Sequence, residues 1–231
     1  MAINIAIDGP AGAGKSTIAR KVAEKLSFIY VDTGAMYRAM ALYLHRKGIA
    51  ADDTEAIARA CKEPRISIEY RDGEQVVLLD GENVNSFLRT QEVSDMASKS
   101  SAVPEVRKRL VELQQKLAAE QSVVMDGRDI GTVVLPDARV KIYLTASVGV
   151  RAKRRFLELK EKGENPVLEK IAEEIAERDH RDMTRDVAPL RQADDAVLVD
   201  SSDMTINEVT SHILNIIRDR TGSGRQPVPG L

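Results

Sequence analysis

The chain has 231 residues, and its 34 Lys+Arg against 36 Asp+Glu give a formal net charge of −2. A balance so near neutrality argues against a protein that coats nucleic acid or a polybasic membrane binder. One cysteine, Cys61, and three scattered histidines exclude a disulfide framework and a zinc site of ordinary spacing.

Ile3, Ile5 and Ile7, with Ala6, read as a strand buried at the centre of a sheet. Asp8 follows, then Gly9-Pro-Ala-Gly-Ala-Gly14-Lys15-Ser16, which fits G-x-x-x-x-G-K-[ST]. Glycines at 9, 12 and 14 let the backbone wrap tightly and turn its N–H groups inward. With the positive end of the next helix they make an anion cradle. Lys15 can reach the β- and γ-phosphates of a nucleoside triphosphate, and the Ser16 hydroxyl can serve Mg²⁺. Residues 17–26 carry Ile18, Val22, Ala23 and Leu26 at helical spacing, the context the motif requires. The plain alternative is a glycine-rich turn with a chance lysine. The motif points to the donor and leaves the acceptor open, because switches, motors and small-molecule kinases share it.

Further buried-strand candidates fall at residues 28–31, 123–125, 140–144 and 196–199, with helical stretches between them. Such alternation predicts an α/β fold with a parallel sheet whose ligands bind beyond the carboxyl ends of the strands. Residues 65–70 and 75–79 break the pattern. They are joined by Arg71-Asp72-Gly73-Glu74, a hairpin signal. Beside them, residues 86–116 read as helical with a break near Pro104. Residues 62–103 are expected to form a small insertion.

At the end of the third parallel strand stands Asp126, placed to hold Mg²⁺ through water; the plain alternative is a carboxylate capping the next turn. Arg38 and Arg128 follow strand ends, and guanidinium forks suit phosphate oxygens. Arg151-Ala-Lys-Arg-Arg155 opens a helix that Gly163 breaks. A second helix over residues 167–187 would place Arg178, Asp182 and Arg185 on one face, with Pro189 just past its end. This pair reads either as an exposed helix laced with salt bridges or as a lid that brings positive charge to the triphosphate and excludes water. Residues 221–231, rich in Gly and Pro, read as a disordered tail. The first strand leaves no room for a signal peptide, and no apolar run approaches the roughly 20 residues of a membrane span. A soluble cytoplasmic enzyme is expected.

Together IDGPAGAGKST (7–17), DTGAMYRA (32–39), RTQEV (89–93), DGRDIGTVV (126–134), PDA-VKI-L (136–144) and ERD-RD--R-VAPL (177–190) resemble the bacterial-type cytidylate kinase family. The first motif is widely shared; the fourth and last, in this order, are far more specific. The resemblance covers the chain from Ile3 to about Arg220. It implies a P-loop, nucleoside-monophosphate-kinase-like fold in one domain, 1–220. The core would comprise 1–61, 104–150 and 188–220, with a nucleotide-monophosphate-binding insertion at 62–103 and a helical lid at 151–187. The implied activity is transfer of the γ-phosphoryl of ATP to CMP or dCMP.

Carried onto this chain, the ATP contacts would be Gly9, Pro10, Ala11, Gly12, Ala13, Gly14, Lys15, Ser16 and Thr17, with Arg154 or Arg155 from the lid. Thr33, Tyr37, Arg38, Arg128 and Arg185 would serve the acceptor and its phosphate. Ser98, Arg107 and Asp129 would read the cytosine, and Arg178 and Asp182 would contact the sugar. Lys15, Arg128, Arg178 and Arg185 would carry catalysis, and Ser16 with Asp126 would hold Mg²⁺. Cytosine offers an N4 amino donor that a carboxylate accepts and uracil lacks, which suits Asp129. Small-molecule substrates, a monomer, and no nucleic acid or membrane partner are expected. Another acceptor, such as UMP, AMP or shikimate, stays open. A GTP-dependent switch is disfavoured because the chain has no N-K-x-D guanine motif.

Overall fold

A computed structural model describes residues 2–71 and 74–222. The elements are β1 (Asn4–Asp8), α1 (Lys15–Leu26), β2 (Ile29–Asp32), α2 (Thr33–Arg46), α3 (Thr54–Ala60), β3 (Ile66–Arg71), β4 (Glu74–Leu79), β5 (Glu82–Asn83), α4 (Gln91–Ser100), α5 (Pro104–Glu120), β6 (Val123–Gly127), β7 (Val140–Thr145), α6 (Val148–Glu161), α7 (Leu168–Thr184), β8 (Val197–Asp200) and α8 (Ile206–Thr221). All five expected parallel strands form, each within a residue or two of its expected place.

Those five build one sheet in the order β2-β6-β1-β7-β8, and every pairing is parallel. Alternation along β1 separates two cores. Ile5 and Ile7 pack with Ile18 and Val22 of α1 and with Ile213 and Ile217 of α8. Ala6 faces the other way, with Val31, Met125, and Met36 and Met40 of α2. Helices thus cover both faces, as an all-parallel sheet requires. Each fully buried Ile, Leu or Met side chain contributes about 1.5–3 kcal/mol by leaving water. The register places Asp32 beside Asp126 and Asp8 beside Gly127, so three strand ends meet on one rim.

The expected hairpin forms as an antiparallel sheet, β3-β4-β5. Tyr70 pairs with Gln75 and Arg71 with Glu74; the Asp72-Gly73 turn lies outside the described residues. Val77, Leu79, Val84 and Leu88 join the same apolar cluster as Met36 and Met40, and so do Val93, Met96 and Ala97 from α4. The helical stretch expected at 86–116 is less regular than its composition suggests. A 3₁₀ turn spans Asn85–Phe87, and α4 starts at Gln91 under its Thr90 cap. After a break, α5 opens on Pro104, where a missing N–H costs nothing.

Gly163, at φ 82°, sits between α6 and α7 as the sequence predicts. α7 stops at Thr184, short of the expected residue 187. Arg185 takes an extended backbone (φ −63°, ψ 142°). The end is closed by Leu190 N–H donating to Asp182 O at 2.7 Å and Arg185 Nε donating to Ala188 O at 2.7 Å. Arg185 is therefore not the third member of one helical face; from beyond the cap it acts on Asp182 and Asp129. Thr221, the first residue of the expected tail, ends α8, and residues 223–231 lie outside the described residues. Among the described residues no helix is long and apolar enough to cross a membrane.

Gly9 has φ +147°, and a Cβ there would fall 1.9 Å from Leu144 O, whereas one at Gly14 (φ +86°) would meet nothing within 4 Å. Gly9→Ala is expected to destabilise by about 3 kcal/mol or more, since backbone must move. Gly14→Ala should cost about 1–2 kcal/mol of left-handed strain. Urea unfolding of the two variants measures the contrast, and equal losses would contradict it.

Candidate active site

The glycine turn runs from β1 into α1. The helix N-cap is Gly14, which brings no side-chain acceptor, and no acidic residue lies in the first turn. The helix-terminal N–H groups and their partial positive charge are left for an external anion. Gly9, Gly12 and Gly14 all have positive φ, so the turn depends on the absence of Cβ atoms. Pro10, Ala11 and Ala13 complete the loop. Lys15 folds back, its Nζ donating to Pro10 O at 2.7 Å. Ser16 and Thr17 are exposed at the helix start.

Asp126 organises the rim behind this loop. Its Oδ2 accepts from Ser16 Oγ at 3.0 Å, its Oδ1 from Tyr30 OH at 2.8 Å, and its backbone O from Thr33 Oγ1 at 2.7 Å. Asp8 accepts from two backbone N–H groups, Ile130 at 2.8 Å and Gly131 at 2.7 Å. These belong to one wide π-type turn, Ile130–Val134, directly after Arg128 and Asp129. Asp8 thus ties the strand that launches the glycine turn to the segment bearing those two side chains.

Burial pulls the Lys15 ammonium well below the usual lysine range, with Arg128 adding to it and Asp126 and Asp8 opposing. Burial likewise raises the Asp126 carboxyl, with help from Asp32 and against Lys15, Tyr30 and Ser16. Asp8 is raised from 3.8 to about 6, first by burial and against its two N–H bonds. Each buried charge here lacks part of its solvation, which a ligand of opposite charge would restore.

Facing this side is a second, basic cluster. Arg38 Nη2 lies 3.2 Å from Asp32 Oδ2, and Arg128 Nε donates to Asp182 Oδ2 at 2.8 Å. Arg107 pairs with Asp129 through Oδ2, and Arg185 Nη2 lies 3.8 Å from Asp129 Oδ1. The Arg107 guanidinium also sits 5.6 Å over the Tyr37 ring. Arg178 interacts electrostatically with Arg128, Asp182 and Arg38, and Arg128 with Lys15. One network of charges therefore runs from the glycine loop to Tyr37. Although burial opposes it, Arg128, Arg178 and Arg185 hold the Asp182 carboxyl below its ordinary range. Burial pushes the Tyr37 hydroxyl up to about 12. Four buried donors in this cluster have no hydrogen-bond partner among the described residues: Tyr37 OH, Arg38 Nε, Arg178 Nε and Arg185 Nη2. An unpaired buried donor costs about 1–3 kcal/mol, and four together mark a place built for an acceptor-rich guest.

Of the residues singled out from sequence, the structure joins Lys15, Ser16, Asp126, Thr33, Tyr37, Arg38, Arg107, Arg128, Asp129, Arg178, Asp182 and Arg185 in this network. Ser98 is half-buried on α4, and its neighbour across the turn, Ser101, accepts from Arg107 at 3.2 Å through its backbone O. Arg154 is tied to Ser201, by 2.7 Å to O and 3.3 Å to Oγ, and Arg155 is exposed beside Glu158. The arginine of α6 that does touch the glycine loop is Arg151. It donates to Ala11 O at 2.9 Å and Ala146 O at 2.8 Å, and pairs with Asp179 of α7 at 2.7 Å. Sequence reading missed this role, along with those of Tyr30 and Asp8.

A glycine loop on a parallel sheet, facing a second basic cluster, defines a P-loop phosphotransferase acting on small molecules. The cytidylate kinase family profile matches residues 5–219. A cytidylate kinase of Caldicellulosiruptor saccharolyticus is 52% identical over 214 residues, covering 93% of this chain and 95% of that one. One of Carboxydothermus hydrogenoformans is 50% identical over 215 residues, covering 93% and 97%. The chain belongs to the cytidylate kinase family. Among solved structures, an uncharacterised protein of Eubacterium ventriosum shares the fold, with a TM-score of 0.51 at 16% identity over 95% of this chain and 99% of that one.

Because Asp8 is raised to about 6, the native state binds a proton more readily than the unfolded chain between about pH 4 and 6. Stability from this group is present below that window and is lost as pH rises through it, by up to about 3 kcal/mol. Asp8→Asn carries no such titration. The unfolding free energy of the wild type relative to Asp8→Asn should therefore grow as pH falls from 7 to 4. A flat difference in urea titrations, or one of opposite sign, would show that the two N–H bonds outweigh burial.

Proposed function

We propose that the protein transfers the γ-phosphoryl group of ATP to CMP or dCMP, giving ADP and CDP or dCDP. The observation that carries this reading is the set of four buried donors without a hydrogen-bond partner, three of them on arginines, opposite an anion cradle. Membership of the cytidylate kinase family supports cytidine monophosphate as the acceptor.

In this reading the glycine turn and the start of α1 bind the β- and γ-phosphates, and Lys15 leaves Pro10 O for a phosphate oxygen. Arg38, Arg128 and Arg185 grip the acceptor phosphate; Arg178 and Asp182 take the sugar. Asp129 Oδ2 is held by Arg107, which leaves Oδ1 to accept from the N4 amino group. An acceptor-phosphate oxygen forms the new bond to the γ-phosphorus as the bond to the β,γ-bridging oxygen breaks. The attacking oxygen is already anionic, so no general base is needed; positioning and charge neutralisation do the work. Ser16 Oγ and Asp126 Oδ2, 3.0 Å apart, suit Mg²⁺, which takes few protein ligands and keeps waters. When bound, the ion neutralises charge on the β- and γ-oxygens. Residues 151–187 act as a lid and 62–103 as the acceptor-side insertion. Arg151, joining Ala11 to Asp179, links lid and phosphate loop.

An acceptor panel under ATP and Mg²⁺ should show kcat/KM for CMP and dCMP at least about tenfold above UMP and AMP, since an unmatched base leaves buried polar groups unpaired. No advantage for the cytidine nucleotides would overturn the acceptor. Lys15→Ala should lower kcat by about 10²–10³ with the fold retained by circular dichroism, because the side chain meets charge that develops in transfer. Near-normal turnover would contradict that role.

A further inference from the structure

Among the described residues β2 is the edge of the parallel sheet, with only β6 as a neighbour. In a parallel pair, alternate residues turn their N–H and C=O to the same side. Ile29 N–H goes inward, to Ser122 O at 3.1 Å. Tyr30 and Asp32 therefore present their backbone groups outward, where no strand waits. The structure fills those positions with side chains of one cross-strand pair in the hairpin, Tyr70 and Gln75. Tyr70 OH donates to Tyr30 O at 3.1 Å. Gln75 does more: its Oε1 accepts from Asp32 N–H at 2.8 Å and its Nε2 donates to Asp32 O at 3.2 Å. The side-chain amide thus stands in for a missing strand at that residue.

Asp32 is the residue on which Arg38 depends. One carboxylate oxygen caps α2 by accepting from Ala35 N–H at 2.9 Å, and the other holds Arg38 Nη2 at 3.2 Å. Arg38 Nε is buried without a partner. Gln75 is itself held: its backbone O accepts from Asn85 Nδ2 at 2.8 Å, and Asn85 Oδ1 accepts from Val77 N–H at 2.9 Å. An unbroken chain of hydrogen bonds therefore runs from the hairpin through Asp32 to the guanidinium.

We propose that Gln75 is a positioning residue for the acceptor: by clamping both backbone groups of Asp32 it fixes the aim of Arg38, and so sets affinity for the acceptor's phosphate. This rests on the acceptor reading given above. The Gln75 hydrogen bonds go to Asp32 and Asn85, and its neighbour Glu74 meets α1 only through an exposed pairing with Arg20 at 3.8 Å, so the effect of Gln75 falls on the acceptor and not on ATP.

The test uses the whole chain. Gln75→Ala and the volume-conserving Gln75→Leu should each raise KM for CMP about tenfold, as expected for a loosened charged contact, with kcat and KM for ATP moved less than about twofold. Tyr70→Phe, which removes the neighbouring tie without touching Asp32, should change none of these by more than about twofold. In an Arg38→Ala background, Gln75→Ala should add nothing. The Arg38 Nε–H resonance, assigned by its loss in Arg38→Lys, should shift in unliganded Gln75→Leu and stay put in Tyr70→Phe. An unchanged KM for CMP in both Gln75 variants, equal effects from Tyr70→Phe, additivity with Arg38→Ala, or an unmoved resonance would each overturn the inference. If the wild type prefers another monophosphate, the acceptor reading fails, and the same comparison made on that monophosphate, with the ligand-free resonance, still decides the role of Gln75.

Discussion

Cations crowded into one half-dry rim are the constraint around which this protein is arranged. Lys15, Arg38, Arg107, Arg128, Arg178 and Arg185 act on one another across distances at which like charges repel, and burial lowers Lys15, Arg178 and Arg185 further. Aspartates answer them: Asp32 for Arg38, Asp129 for Arg107, Asp182 for Arg128, Asp179 for Arg151. Buried ion pairs of this kind about break even against apolar packing. Stability does not explain the cluster; a polyanionic guest, whose arrival completes the neutralisation, does.

The fold supplies the rim through register. Parallel strands end together, and here Asp8 and Asp32 finish β1 and β2, while Asp126 stands one residue before the end of β6 between them. Each then serves a different segment: Asp8 holds the turn after Asp129, Asp32 caps α2 and steers Arg38, and Asp126 gathers Ser16 and Tyr30. Side chains far apart in sequence acquire fixed relative positions because the sheet fixes their anchors.

Much of this was legible in the residues. Local signals carried it: apolar runs gave the five strands, the glycine pattern gave the cradle, and Asp72-Gly73 announced a hairpin. Boundaries suffered where tertiary bonds overrode periodicity. The charge pattern continued α7 through Arg185, whereas the hydrogen bonds of Leu190 and Ala188 end it earlier. Arg151, Tyr30, Asp8 and Gln75 were silent because their meaning lies in partners 43 to 140 positions away. An arginine beside Arg154 and Arg155 looks no different from them until α6 is seated on the loop.

The apolar cluster beneath α2 does not stop at the parallel sheet. It runs without interruption from Ala6, Val31 and Met125 into Val77, Leu79, Val93 and Met96. A segment that shares its interior with its host exposes apolar surface along the whole seam if it is drawn away, at about 25 cal/mol for each Å² uncovered. Sliding of α4 over α2, in which side chains keep their neighbours, opens less of that seam than a swing about its ends.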